Sequence, residues 1–574
     1  MSLRKSSLCR LIILFCLQLP ALAAIAGKAT QSAATEPCSA TTQSELCSLI
    51  AAGQLNDLHW PRFSDYQTEL QEFYLPSNYA LAWVRNNQPT PQARAVIHAL
   101  QDADRKGLQA TDYDGPLWDT RIASLVPPAP KPSSSELARF DLAVTVSVMR
   151  YISALHNGRI NPRHFAFGVN IEHQKYNLAQ FLSERLLPAQ DAQSTLEQVE
   201  PSYGGYLRAR TALERYVALA REGEGDPLPA FKKLIKPGDD YPGEQQLAQR
   251  LRRLGDLPPE AIDSLHPGVY DSALVEAVKH FQQRHGLPAN GSIDRATFNQ
   301  IVMPLSHRIE QLQLTLERWR WLPPDLPERF IVVNVPEFAL RAHENHHSSL
   351  SMRVVVGKAF HGHQTPVFQE QMEYLIFRPY WNVPPSITRR ELIPEMKKHP
   401  DYLEKHDFQV VNHRGEVVTA DLESAELLAQ LRSGVLEIRQ KPGPGNSLGL
   451  IKFIFPNNYN VYLHGTPEQA LFSRSRRAFS HGCIRVEDPA MLAAWILHDD
   501  PSWTSDRIQQ AMNAADSVRV NLPRPIPVLV LYATARVEEN GEVHFFEDIY
   551  GQDSRLERAL ATGYPYPRQR NMSN

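Results

Sequence analysis

"LHGTPEQALFSRSRRAFSHGCIRVED", residues 463–488, holds two His-Gly pairs, and the second runs directly into a cysteine. The chain has 5 cysteines in 574 residues, so the placement of Cys483 after His481-Gly482 and downstream of His464-Gly465 calls for a chemical reason. The thiolate is the nucleophilic form of cysteine, and an imidazole within hydrogen-bond reach can take the thiol proton. His464 ends the strand-like run NVYLHG, while Ser480-His481-Gly482-Cys483 reads as a turn into the strand Ile484-Arg485-Val486. Pairing of those strands predicts His464 across from Cys483. Gly482 lets the backbone bend tightly. An N–H at Gly482 or Cys483 could then face a developing oxyanion. Arg474, Arg476, Arg477 and Arg485 lie in or beside the loop between the pairs. Guanidinium groups grip carboxylates bidentately. A solvated basic loop would look the same in sequence.

The other cysteines are read through the N-terminus. Arg4, Lys5 and Arg10 flank a short apolar run, Leu11 to Leu17, and Pro20-Ala-Leu-Ala23 closes it with small residues. Residues 1–23 therefore read as a secretory signal, with an uncleaved anchor as the competing reading. Cys9 and Cys16 would leave with the signal. Cys38 and Cys47 could form a local disulfide in an oxidising compartment. Cys483 then remains alone, and reactivity is the usual reason for a lone thiol in an exported protein.

Composition bounds the rest. The chain is 43% hydrophobic and 21% charged, as soluble globular proteins are. A net charge of −3 supplies no global basic field for nucleic acid. Hydrophobic periodicity divides the chain into a polar, mobile leader (24–60), a helical scaffold (61–235), a small three-helix module (236–303) and a linker helix (304–324). A mostly β domain (325–550) follows, interrupted by an inserted helical lid (389–434), and a C-terminal tail (551–574) ends the chain. The fold class is multidomain α+β.

Three chemistries compete for the 463–488 segment. A metal site could use His464, His481 and Cys483, with His361 or His363 recruited, but there is no fourth clear ligand and no H-E-x-x-H. A serine hydrolase could use Gly445-Asn-Ser447-Leu-Gly449, yet that elbow needs a strand before and a helix after it. Here RQKPGP precedes and the strand-like LIKFIFP follows. The penicillin-binding pattern fails as well, because its S-x-x-K falls at Ser2 to Lys5 and there is no K-T-G. The remaining reading is a Cys-His acyl transferase.

His464-Gly465 followed by Ser480-His481-Gly482-Cys483-Ile484-Arg485 resembles the signature of the L,D-transpeptidases with a YkuD-type catalytic domain. The segments VVVGK, TPVF, PYWNVPPSI, RQKPGPGNSLGLIKFIFPN and VYLHGTPEQALF add to the likeness. Residues 236–303, with Ala277-Val278, Phe281-Gln282, Gly286-Leu287, Asn290-Gly291 and Thr297-Phe298, resemble a peptidoglycan-binding domain. The domain order is similar to that of the large periplasmic, scaffold-bearing members. The resemblance implies a periplasmic enzyme in which Cys483 attacks a tetrapeptide stem between meso-diaminopimelate and D-Ala. A second meso-diaminopimelate amine would then resolve the thioester into a 3→3 cross-link. It assigns His464 as base, steadied by a carbonyl near Gly465, and gives His481, Gly482 and Tyr462 to the acyl oxygen. Ser480, Arg485, Trp381 and Asn446 would line the substrate cleft. It implies no metal and no cofactor, peptidoglycan stem peptides and glycan as partners, other cell-wall synthesis proteins as possible partners, no nucleic acid, and membrane contact through the signal alone. Carbapenem-type β-lactams would acylate the same thiol. The alternatives are an L,D-carboxypeptidase, a transpeptidase that attaches a lipoprotein, and a non-catalytic wall-binding scaffold.

Overall fold

The computed structural model describes residues 42–564, apart from 166, 170, 172–175, 324–325, 346, 361 and 420–423. The expected signal and Cys38, one half of the expected 38–47 pair, lie outside the described residues.

The helical region begins earlier than its polar composition suggests. Helix α1 (Thr42–Ala52) buries Leu46 and Ile50 in the scaffold core. Apolar residues one turn apart draw this part of the expected leader into the fold. Helix α2 (Ser134–Asn157) is the centre of that core, with 17 buried residues. A capping box between Ser133 and Glu136 starts it, and Gly158 ends it at φ +76°. Asp141 is fully buried on α2, yet its carboxylate accepts from Tyr74 Oη (2.7 Å) and from the N–H groups of Ala82 (3.0 Å) and Trp83 (2.7 Å). Burial still pushes its acid constant up to about 6.

Helix α3 (Gly204–Arg221) leaves the scaffold and joins a second core with α4 (Glu244–Leu254), α5 (Ser272–Arg284) and α6 (Arg295–Ile301). Asp271 and Asp294 cap α5 and α6 by accepting from Leu274 N–H and Thr297 N–H. The Phe281-Gln282 step of the sequence pattern has a structural explanation. Buried Gln282 accepts from Gly291 N–H (2.9 Å) and donates to the Ser292 carbonyl (2.8 Å) and Thr297 Oγ1 (3.1 Å). One amide thus ties α5 to the Asn290-Gly291 turn and to α6. Helix α7 (Leu305–Trp319) leads from this module into the β domain.

In chain order the strands of its two larger sheets are β1 (Arg329–Asn334), β2 (Ala339–Glu344), β3 (His347–Gly357), β4 (Phe368–Phe377), β5 (Trp381–Asn382), β6 (Phe408–Asn412), β7 (Leu436–Gln440), β8 (Ile451–Ile454), β9 (Leu463–His464), β10 (Ala478–Ser480), β11 (Ile484–Val486) and β12 (Val518–Leu531). Nine of them form one sheet in the order β10-β3-β11-β9-β8-β4-β12-β1-β2. β2 also pairs with β3, so the sheet closes on itself and hides those edges. Alternating apolar residues such as Ile331, Val333, Val354, Leu375, Phe453 and Val528 fill its core.

Two expectations are corrected here. The insertion is not purely helical. The chain leaves the sheet after β4 and returns at β8, the antiparallel neighbour of β4, with Phe377 opposite Ile451. Between them β5, β7 and β6 form a three-stranded sheet that packs with short helices over Val383, Ile393, Leu403, Val410 and Ile438. Its strands are too short for a period to stand out in sequence. The C-terminal tail is likewise structured at its start: α9, named here after α8 (Pro489–Leu497), spans Gln552–Ala561 and buries Leu556, Ala559 and Leu560. Arg318 on α7 bonds Asp553 on α9 at 2.5 Å.

Candidate functional site

Parallel pairing of β9 with β11 builds the site. Leu463 lies opposite Ile484 and His464 opposite Arg485, so Tyr462 is level with Cys483. Side chains two apart along a strand share a face. Tyr462, His464, Cys483 and Arg485 therefore line one face, and Lys452, opposite His464 on β8, joins them. The expectation that His464 sits across from Cys483 is corrected by two residues of register, which keeps both side chains on one face. Tyr462 faces the cysteine, and the imidazole lies diagonally along the same row, with Cα atoms about 8 Å apart by strand geometry.

The cysteine turn is held from below. Gly482 has φ +121°, a conformation that side-chain-bearing residues rarely adopt. Ser480 Oγ accepts from Gly482 N–H (3.1 Å) and donates to the Cys483 carbonyl (2.5 Å). The Gly482 carbonyl accepts from Thr365 Oγ1 (2.8 Å), and Thr365 Oγ1 in turn accepts from Gly357 N–H (2.9 Å). In a trans peptide the carbonyl and the next N–H point in opposite directions. Anchoring the Gly482 carbonyl to Thr365 therefore aims Cys483 N–H away from Thr365, and no hydrogen bond among the described residues takes it. Ser480 is buried and shapes this turn rather than facing the cleft.

The thiol is half-buried. Its Sγ lies 3.6 Å from the Asn460 carbonyl, and Tyr462 contacts it through both backbone and side chain. Burial pushes the thiol up, opposed by Tyr462, Lys452 and Arg485. His464 is buried, and its Nδ1 donates to the Gly465 carbonyl at 2.6 Å, which leaves Nε2 as the basic nitrogen. Burial, then Arg485, holds the imidazole down to about 3. The resting pair is consequently a neutral thiol and a neutral imidazole, not an ion pair. The close approach of Gly449 to Gly465 requires glycine, since a Cβ on Gly449 would lie 2.6 Å from Gly465 carbonyl carbon. The strand that follows Gly449, with no helix, removes the serine-elbow reading of Ser447.

His481 faces the insertion. Its Nε2 lies 2.6 Å from Glu391 Oε1, and its ring meets that of His363 edge-on at 4.9 Å. Trp381, on the first strand of the insertion, is within polar reach of Tyr462. Two links thus tie the insertion to the catalytic turn. Asn446, expected in the cleft, is buried in its own turn. It donates to the carbonyls of Lys441 (2.9 Å) and Pro379 (3.2 Å) and accepts from Leu448 N–H (2.8 Å). Arg485 pairs with Glu468. Arg476 pairs with Glu547 at 2.9 Å, and Arg477 donates to the Val354, Phe338 and Arg474 carbonyls. Among the described residues no group of three or more His, Cys, Asp or Glu side chains is placed to hold a metal.

Sequence reasoning passed over Lys452, Thr365 and Glu391. Lys452 carried a signal: it is the single charge in the apolar strand LIKFIF. Thr365 and Glu391 carried none, because their partners come from distant parts of the chain.

Residues 328–509 match the L,D-transpeptidase catalytic domain family (YkuD). Residues 68–213 match a family described as a scaffold domain, and residues 242–301 one described as "Putative peptidoglycan binding domain". A Haemophilus influenzae protein named "Putative L,D-transpeptidase" is 32% identical over 257 residues, which cover 44% of this chain and 50% of that protein. The chain spans about half the length of the curated relative it matches. A solved structure of the L,D-transpeptidase, residues 123–326, from Xylanimonas cellulosilytica is 15% identical and covers 53% of this chain and 100% of its own, at a TM-score of 0.17. The Cys483–His464 row thus lies inside the region that matches the L,D-transpeptidase (YkuD) catalytic domain family, on the same chain as regions that match a scaffold domain and a putative peptidoglycan-binding domain.

Proposed function

We propose that the protein is a peptidoglycan L,D-transpeptidase of the periplasm that makes 3→3 cross-links through a Cys483 thioester. The observation that supports this reading is the shared face of the β9/β11 pair, which carries both the Cys483 thiol, next to an uncommitted Cys483 N–H, and the His464 imidazole with Nε2 as its basic nitrogen.

In the first half-reaction Sγ attacks the carbonyl carbon between meso-diaminopimelate and D-Ala of a tetrapeptide stem. As the S–C bond forms, the thiol proton passes to His464 Nε2. Cys483 N–H and the Tyr462 hydroxyl are the donors available to the developing oxyanion. The imidazolium then gives its proton to the amide nitrogen, the C–N bond breaks and D-Ala leaves. In the second half-reaction the side-chain amine of another meso-diaminopimelate attacks the thioester. His464 takes its proton, the S–C bond breaks and the sulfur recovers a proton. Amide is exchanged for amide, so the cycle needs no external energy source.

The neutral resting pair supports a thiol that ionises as substrate engages rather than beforehand. That ordering suits a donor whose competitor is water, because a permanent thiolate would be exposed to oxidants. The helical module at 242–301 supports delivery of the enzyme to the wall. The test is incubation with tetrapeptide muropeptides followed by mass spectrometry. Cross-linked dimer and released D-Ala are expected. Tripeptide alone would mean an L,D-carboxypeptidase, and unchanged tetrapeptide would mean a wall-binding scaffold.

A further inference from the structure

Lys452 is the cation that the site leaves unspent. It stands on β8 directly opposite His464 and so shares the face of Cys483 and Tyr462. Its ammonium sits 3.8 Å from the centre of the Tyr462 ring, and Tyr462 is level with the thiol. The side chain is only partly exposed, and burial lowers its acid constant, with Cys483 as the one charge partner acting the other way. No carboxylate among the described residues lies within ion-pair distance of it. The neighbouring cations differ. Arg485 is taken by Glu468, Arg476 by Glu547, Arg353 by Glu487, and Arg477 by backbone carbonyls. A half-buried ammonium without an anion carries a desolvation cost that an incoming carboxylate would offset.

We propose that Lys452 binds a substrate carboxylate, namely the terminal carboxylate of the residue that leaves with the scissile amide. The inference rests on the transpeptidase reading above, in which that residue is D-Ala. The geometry selects this carboxylate. The leaving residue's carboxyl carbon lies three bonds, within about 4 Å, of the scissile carbonyl carbon. Lys452 Nζ lies over the Tyr462 ring, and Tyr462 is level with the thiol, so a single side chain stands between the register positions of the ammonium and the sulfur. With the scissile carbon on Sγ, a group one residue step away reaches the ammonium, whereas a more distant part of the stem points elsewhere. The cation would thereby select stems that end in a free acid. It would also release the product once the C–N bond is broken, since D-Ala alone is held by one ion pair.

The experiment compares D-Ala release from a tetrapeptide with release of D-alaninamide from the same peptide amidated at its C-terminus, using the full-length protein. Wild type should favour the free acid. Lys452→Met, which keeps the aliphatic packing over Tyr462, should raise KM for the acid about 10- to 100-fold and leave KM for the amide within about twofold. Lys452→Arg should recover most of the preference. Circular dichroism melts establish that each variant is folded. Equal loss on acid and amide overturns the proposal, as does an unchanged KM for the acid. A fall in kcat with unchanged KM, matched by a shift in the pH profile of Cys483 alkylation, would make Lys452 a thiolate-stabilising residue instead. The wild-type comparison needs no variant: release of both substrates with equal KM also overturns the proposal. Release of neither substrate refutes the transpeptidase reading itself, and the inference falls with it.

Discussion

The two His-Gly pairs share a dipeptide and differ in everything around it. His464 is buried, donates to its own neighbour's carbonyl and is held neutral far below ordinary pH. His481 is half-exposed, sits on a tight turn and meets a carboxylate from the insertion. Gly465 is squeezed by Gly449, whereas Gly482 is needed for its backbone angle. On the proposed mechanism, identical residue types therefore serve as a base in one place and as a link to the insertion in the other. What separates them is burial and the identity of the hydrogen-bond acceptor: a buried backbone carbonyl sets the tautomer of His464, while an exposed carboxylate of the insertion faces His481.

The comparison predicts a graded response to substitution. Cys483→Ala should abolish D-Ala release and cross-linking together while wall binding persists, as read by muropeptide mass spectrometry and sedimentation with isolated wall. His464→Gln keeps a polar side chain but cannot take the proton, and should lower kcat by about 10²- to 10⁴-fold. Activity near wild type in that variant would remove the distinction between the two histidines. Gly482→Ala comes next. The backbone angle costs an alanine on the order of 1–3 kcal/mol, and a turn displaced by even 1 Å should cost up to about 100-fold in rate. The melt of this variant separates the stability loss from the rate loss.

His481→Gln should have the smallest effect, within about tenfold on kcat. Its exposed pair with Glu391 is worth roughly 0.2–1 kcal/mol. Its readout is faster amide hydrogen exchange in the insertion around residues 385–400, without global destabilisation. A loss as large as that of His464→Gln would mean that His481 acts on the reacting atoms.

The acid constants sharpen the same contrast. A base lowered to about 3 stays unprotonated throughout the range where ordinary histidines titrate. The kcat/KM profile should therefore show no acidic limb near pH 6.5 from His464. The thiol is raised above its ordinary value, so alkylation of Cys483 by iodoacetamide in the free enzyme should climb only in alkaline solution. A plateau of alkylation at neutral pH would instead indicate a preformed thiolate–imidazolium pair.

Much of the fold was readable because its signals are local. The hydrophobic periodicity that marks the helical regions, and its change to a strand period beyond residue 324, each depend on a few adjacent residues. The exceptions have physical causes. The strands β5 to β7 of the insertion are too short to show an alternating period, and their core forms only when they pair. Helices α1 and α9 bury a few residues each against partners far away in sequence, so nothing nearby marks them as ordered. The resemblance placed Asn446 in the cleft because it lies in the matching segment RQKPGPGNSLGLIKFIFPN. Only the tertiary structure shows that its amide is consumed by Lys441 and Leu448 of that turn and by the distant Pro379 carbonyl.

The sequence by itself determined the cast: a lone cysteine after a turn glycine, a histidine at the end of a strand, and a basic loop between them. Residue type is an intrinsic property, and the chemistry each side chain can perform travels with it. Tertiary structure decided the pairing of roles. Register placed Tyr462 rather than His464 opposite the thiol, Thr365 turned the Gly482–Cys483 peptide, and burial fixed the protonation of both partners. Those outcomes depend on which distant strands meet and how much water they exclude, and neither quantity is written in any short run of residues.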